Sequence, residues 1–333
     1  MHQTRVPQRS DYENVFSLFK EEGRRPVRKD LGHPFVAGTL IIPSNLSYFS
    51  GQGGFAIVYR LRDQSGQEWA IRCPLRLLNE TDRSHAQALS SWNPPPTLRR
   101  HLVLPTFFKE AIFVGGEWID ITVMPWVVGE TLDELLNGKS RTDWNTLADE
   151  WQQLIALLVA EGIAHGDLQP KNVIRATDTT LTLIDYDSFL IPGAEGALCA
   201  VGGLQGYGHP LFTSGRATRI YHRDMDTFAG LVVLLSLRAL AVDPTLLREG
   251  AEDGFVIPAA ELVTPGEVFK RLQRLPEPVS SLASKLIKLC ADPGGGLDPW
   301  LYIPTSGYKP YYQLSLPPVP PAPVRVPFTP LFT

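Results

Sequence analysis

The spacing of apolar positions divides the chain into a stretch that alternates and a stretch that repeats every three or four residues. Residues 1–39 are polar and irregular apart from a short helical pattern in Y-E-N-V-F-S-L-F-K-E-E, and read as an N-terminal extension. From about Leu40 the texture becomes that of strands. F-A-I-V-Y-R-L (55–61) and E-W-A-I-R-C-P-L (68–75) are rich in β-branched and aromatic residues, and the turn-forming D-Q-S-G-Q between them predicts a hairpin. Residues 80–92 carry a weak helical pattern, and 101–126 read as strands hinged at Gly115 and Gly116.

After Gly129 the period changes. T-L-D-E-L-L-N-G predicts a short helix, and residues 142–162 a long one, with Thr142 or Asp143 as its cap and Gly162 as its stop. Further helices are predicted at about 223–241, 265–274 and 277–291. Strands first and helices afterwards give an α+β fold with two lobes, a β-rich one over 40–127 and a helical one over 128–300. The tail, 301–333, differs from both. L-P-P-V-P-P-A-P-V-R-V-P-F-T-P (316–330) holds seven prolines, favours extended polyproline II and cannot join a core helix, so it reads as a linker-like arm or docking segment.

Composition narrows the function classes. A formal net charge of −4 argues against a nucleic-acid binder working through a broad basic surface, and the basic run Arg24, Arg25, Arg28 and Lys29 is short and flanked by acids. Cys73, Cys199 and Cys290 are too widely spaced for a metal site or a disulfide framework, which fits a reducing compartment. The first fifteen residues lack a signal peptide's apolar core. The most apolar stretch, 228–242, carries Ser236 and Arg238 and is shorter than the ~20 residues of a membrane span. A cytoplasmic protein with no membrane or nucleic-acid partner is expected.

Two segments carry chemistry. In S-G-Q-G-G-F-A-I-V-Y (50–59), Gly51, Gly53 and Gly54 would let backbone N–H groups approach phosphate oxygens. A dinucleotide-binding loop must open a helix, whereas this one opens the strand-like F-A-I-V-Y-R-L, so that reading fails. A glycine hairpin over phosphates and an ordinary glycine-rich turn both remain open. The second segment is sharper: I-A-H-G-D-L-Q-P-K-N-V-I (163–174) is followed by L-T-L-I-D-Y-D-S-F (181–189), with Asp167, Asn172 and Asp185 five and thirteen residues apart.

H-G-D-x-x-x-x-N, an apolar strand and D-Y-D together resemble the catalytic loop and metal-binding motif of protein kinases, with the glycine-rich loop upstream in the right order. The resemblance covers roughly residues 40–290 and is greatest to atypical bacterial kinase-like proteins. It implies a bilobal protein-kinase-like fold that binds ATP and Mg2+ and transfers phosphate to Ser or Thr of a protein. Asp167 would orient the attacking hydroxyl, Lys171 would supply a cation near the γ-phosphate, and Asn172 and Asp185 would hold the metal. Met124 would be the gatekeeper, the Pro125 carbonyl and the Val127 N–H would meet the adenine edge, and Val58, Ala70 and Val173 would cover its faces. His165 and Asp226 would be structural supports of the loop. Some kinases of this group accompany phosphatase or von Willebrand-type partner proteins.

The pattern is broken at several positions. W-A-I-R puts Arg72 where the phosphate-binding lysine belongs, and the following helix offers only Glu80 and Asp82, both early, as its partner. Gly166 replaces the arginine that reads a phosphorylated activation loop, Asp187 replaces the glycine of D-F-G, and Leu211 replaces a glutamate at the end of the activation segment. Two alternatives stand beside the kinase reading: a pseudokinase acting as a nucleotide-responsive binding module, and a small-molecule kinase.

Overall fold

The computed structural model describes residues 6–18, 28, 40–41, 56–63, 65–137, 143–190, 225–247 and 256–291. The glycine-rich loop with Gly51, Gly53 and Gly54, the 206–211 motif and the proline-rich tail lie outside them.

The first half of the described chain is an antiparallel sheet, strand order β1-β2-β3-β5-β4, formed by β1 (Leu40–Ile41), β2 (Ala56–Asp63), β3 (Glu68–Pro74), β4 (Thr106–Val114) and β5 (Glu117–Pro125). The predicted hinge between β4 and β5 is a two-residue turn with both glycines at positive φ, Gly115 at 61° and Gly116 at 95°. Side chains alternate between the faces of a strand, and here the alternation separates two tasks. Ile57, Tyr59 and Leu61 of β2 and Ile71 and Cys73 of β3 enter one core cluster with Ile119, Ile121 and Val123. Val58 and Ala70 belong instead to the cluster on the other side, with Met124 and Val173.

The first face is covered by α1 (Arg9–Leu18), which brings Tyr12, Val15 and Phe16 into the sheet's core. Tyr12 Oη donates to the Pro74 carbonyl at 2.5 Å, and the Phe16 ring lies 4.2 Å from that of Tyr59. Residues 9–18 therefore pack as part of the β-rich body.

The helix α2 (Glu80–Ser91) starts at Asn79, whose side chain accepts from the Asp82 N–H while the Asp82 carboxylate accepts from the Asn79 N–H. The second half begins with β6 (Gly129–Thr131) and α3 (Leu132–Asn137). In α4 (Trp144–Ala160), Asp143 is the cap, accepting from the N–H groups of Asn145 and Thr146, and Gly162 ends the helix at φ 68°. The hairpin β7 (Val173–Ala176) and β8 (Leu181–Leu183) pairs with β6 in a second sheet. Then come α5 (Thr227–Val242), α6 (Ala259–Val263), α7 (Glu267–Leu272) and α8 (Val279–Ala291). The short α6 has no counterpart among the elements predicted from the sequence.

Helix α5 is buried along nearly its whole length. Ser236 and Arg238 are satisfied inside the fold: Ser236 Oγ donates to the Val232 carbonyl at 2.9 Å, and Arg238 pairs with Asp149 at 2.5 Å. Among the described residues, no helix is long and apolar enough to cross a membrane. The antiparallel sheet followed by helices is the α+β, protein-kinase-like architecture that the sequence predicts.

Because Phe16 fills the sheet's core from outside the β-rich segment, Phe16→Ala should destabilise the chain by about 3–5 kcal/mol, read by chemical denaturation.

Candidate functional site

The site lies where the loop 163–172 meets the segment 184–190. Both are held by backbone contacts before any functional side chain is placed. The Asp226 carboxylate, at the start of α5, accepts from the N–H of His165 and, at 2.9 Å, from the N–H of Gly166. The Leu190 N–H donates to the Ala164 carbonyl at 2.7 Å, and the Ile184 N–H to the Asn172 carbonyl at 2.9 Å.

His165 is fully buried and joins the two segments. One ring nitrogen, Nδ1, lies 3.3 Å from the Asp167 N–H and accepts from it. The other, Nε2, must therefore carry the proton it donates to the Ile184 carbonyl at 2.8 Å. This is the supporting role expected for His165, and Asp226 fills its own as the loop's anchor.

Gly166 has a reason of its own. Its φ is 81°, and a Cβ there would overlap the Ser188 carbonyl oxygen and stand 2.8 Å from that carbonyl carbon. Only glycine permits this approach, so the absence of an arginine at 166 is enforced by packing as well as being a change of regulatory chemistry.

The loop then turns through a 3-10 segment, Pro170–Asn172, which brings Asp167 and Asn172 together. The Asn172 Nδ2 donates to the Asp167 carbonyl at 2.8 Å and to Asp167 Oδ2 at 3.0 Å. Gln169 Nε2 donates to the same Oδ2 at 3.0 Å. Since the Asn172 amide nitrogen faces two acceptors, its Oδ1 is turned away and keeps its lone pairs for another partner. Asp185, just beyond β8, is held at φ 64°, a conformation rare for a residue with a side chain.

Two oxygens in this site lack a donor. Asp167 Oδ1 and Asp185 Oδ1 are both shielded from solvent and neither accepts a hydrogen bond. Burial pushes the Asp167 carboxyl above its ordinary range; His165 and the two amides oppose the shift, and the charge of Asp185 adds to it. The Arg72 guanidinium, 3.8 Å from Asp185 Oδ1, offsets part of this charge, and what remains favours a further cation or donor. The Asp185 carboxylate with Asn172 Oδ1 gives an all-oxygen pair that could hold a hard cation. No group of three or more His, Cys, Asp or Glu side chains suited to a metal occurs among the described residues, so such a cation would have only these few protein donors.

Arg72 reaches this set from β3. A guanidinium nitrogen bonds the Asp187 carboxylate and lies 3.8 Å from Asp185 Oδ1. The acids of α2 are not its partners: Asp82 pairs with Arg76, and Glu80 is exposed. Helix α2 is tied to the same segment differently, through His85 Nε2 and the Phe189 carbonyl at 2.8 Å. Lys171 is exposed on the 3-10 turn, next to Asn172. Gln169, His85 and Asp187 as a partner of Arg72 were not singled out from the sequence. Each depends on contacts between segments distant in the chain or on a side-chain direction within the loop.

A second set of predicted residues meets nearby. Val58, Ala70, Met124 and Val173 belong to one apolar cluster, which joins the sheet to the helical half. Strand register orients the groups beside it. Ala70 pairs with Met124 and Trp69 with Pro125, while the Trp126 N–H bonds the Glu68 carbonyl at 2.8 Å. In an antiparallel ladder, hydrogen-bonded and non-hydrogen-bonded pairs alternate. The carbonyl of Pro125 and the N–H of Val127 therefore point away from β3. Because β4 begins at Thr106, opposite Val123, no strand among the described residues covers that edge. Proline's missing N–H costs nothing at such a position.

Searching known families finds no family model that matches the chain. A probable serine/threonine-protein kinase, zyg-1, of Caenorhabditis briggsae is 29% identical to it over 164 residues, 47% of this chain. The chain spans about a fifth of that protein's length, 22%.

If Gly166 is fixed by its approach to Ser188, Gly166→Ala should lower stability by about 3 kcal/mol, combining backbone strain with the collision. Thermal denaturation would check this, and a variant as stable as the parent would contradict it.

Proposed function

We propose that this chain is an ATP- and Mg2+-dependent phosphotransferase acting on Ser or Thr of a protein substrate, an atypical kinase of the bacterial type. The observation that carries the reading is the pair of donor-less, shielded oxygens of Asp167 and Asp185, beside an Asn172 whose Oδ1 is turned outward by its own amide bonds. The similarity to a probable protein kinase points the same way.

Bound between the nucleotide and these oxygens, Mg2+ would neutralise phosphate charge and fix the phosphate geometry. The protein's part is positioning. Asn172 Oδ1 and the Asp185 carboxylate are the proposed ligands. Gln169 and Asn172 fix Asp167 through its Oδ2, leaving Oδ1 to accept the hydrogen bond of a substrate hydroxyl and orient it for attack. Lys171 and Arg72 are the proposed phosphate cations. Met124, Val58, Ala70 and Val173 would enclose an adenine whose edge bonds the Pro125 carbonyl and the Val127 N–H, and Gly51, Gly53 and Gly54 are proposed to cover the phosphates. The phosphatase or von Willebrand-type partners, and docking through the proline-rich tail, remain part of this proposal.

The full chain should transfer the γ-phosphate of Mg-ATP to itself or to a panel of Ser/Thr proteins, and Asp167→Asn should lower that rate roughly 10²- to 10⁴-fold. Transfer by the parent and the variant at the same rate, or transfer only to small metabolites, would overturn the proposal.

A further inference from the structure

The departure at position 72 has a counterpart at position 187. Arg72 lies on the face of β3 opposite Ile71 and Cys73, paired across the sheet with Val58 and Thr122, and its side chain is 16% exposed. A half-buried guanidinium is favoured by a carboxylate in reach, and here that carboxylate can sit at the exposed end of the side chain. Helix α2 cannot supply it, because Asp82 is engaged by Arg76 and by the helix's own cap.

The carboxylate comes instead from Asp187, two residues past Asp185. The backbone at 187 lies outside the left-handed region that would require glycine, so the position can carry a side chain. Segment 184–190 is fixed independently: by Ile184 to Asn172, by Leu190 to Ala164, and by His85 to Phe189. Asp187 is thus presented to Arg72 from a rigid support, and the pair spans the sheet and the loop without help from an α2 carboxylate.

We infer that Asp187 is a positioning residue: it is the counter-ion that holds Arg72 toward the nucleotide phosphates, replacing a carboxylate on α2. The inference rests on the nucleotide-binding reading above and adds to it. An arginine suits this geometry better than a lysine. Its forked guanidinium can keep Asp187 and Asp185 on one nitrogen while the other N–H groups face the phosphates, whereas an ammonium offers one point of contact. A further consequence is that the ion pair of the phosphate-binding cation includes no α2 carboxylate, and among the described residues α2 bears on it only through the His85 bond to the Phe189 carbonyl.

The test is calorimetric titration of the full chain with ADP in EDTA, so that no metal contributes, together with steady-state kinetics in Mg-ATP. Charge-assisted bonds of this kind are worth roughly a tenfold change or more in affinity. Arg72→Met and Asp187→Asn should each weaken ADP binding about tenfold. The double variant should be little worse than either single one, the mark of two groups acting as a unit. The KM for ATP should rise in parallel while the KM for the phosphoacceptor stays. Asp187→Glu should recover part of the affinity, which separates positioning from misfolding, and Glu80→Gln should leave affinity at the parent's value. Wild-type or tighter ADP binding by Asp187→Asn, or losses that simply multiply in the double variant, would overturn the inference while leaving the nucleotide site intact. A parent chain that binds neither ADP nor Mg-ATP would overturn the functional proposal itself.

Discussion

The site depends on a carboxylate that never touches a reacting atom. Asp226, 4% exposed at the head of α5, accepts from two successive backbone N–H groups, those of His165 and Gly166. Both N–H groups are buried in the packed loop, and the carboxylate meets their need for an acceptor. With them bound, the loop is pinned to α5, a helix buried along nearly its whole length. His165 then passes the constraint on, its two ring nitrogens fixing the Asp167 backbone on one side and the Ile184 carbonyl on the other. Asp167, Asn172 and Asp185 come together because their backbones are cross-linked, and Asp167 Oδ1 and Asp185 Oδ1 are left without a hydrogen-bond donor among the described residues.

The sheet contributes through a simpler constraint, the two-residue period of a strand. One face of β2 and β3 is spent on the core shared with α1; the other presents Val58, Ala70 and Arg72 toward the helical half. A register shift of one residue would exchange the two sets, burying Arg72 against Tyr59 and exposing Ile71. The apolar packing of α1 against the outer face, with Tyr12 and Phe16 buried there, therefore helps fix which residues face the helical half.

Much of this was legible in the sequence because it rests on local pattern. The H-G-D-x-x-x-x-N and D-Y-D spacing, the strand alternation, the Asp143 cap, the Gly162 stop and the Gly115–Gly116 turn all concern residues near one another in the chain. What the sequence hid are the long-range pairs. The next helix offers Arg72 only Glu80 and Asp82, whereas its partner Asp187 lies 115 positions away. Gly166 read as a lost arginine, since nothing local shows the Ser188 carbonyl pressed against it. The Y-E-N-V-F-S-L-F pattern predicted a helix but not that Tyr12 would donate to Pro74 across 62 positions.

The central claim is that Asn172 Oδ1 and the carboxylate of Asp185 receive a metal ion beside Asp167, with the nucleotide's base at Pro125 and Val127. The most direct measurement is a crystal structure of the chain with Mg2+ and a non-hydrolysable ATP analogue. The account predicts metal density ligated by Asn172 and Asp185, with the analogue's phosphates within reach of Arg72 while Arg72 stays on Asp187. Nucleotide bound elsewhere, or metal density away from Asn172 and Asp185, would contradict it.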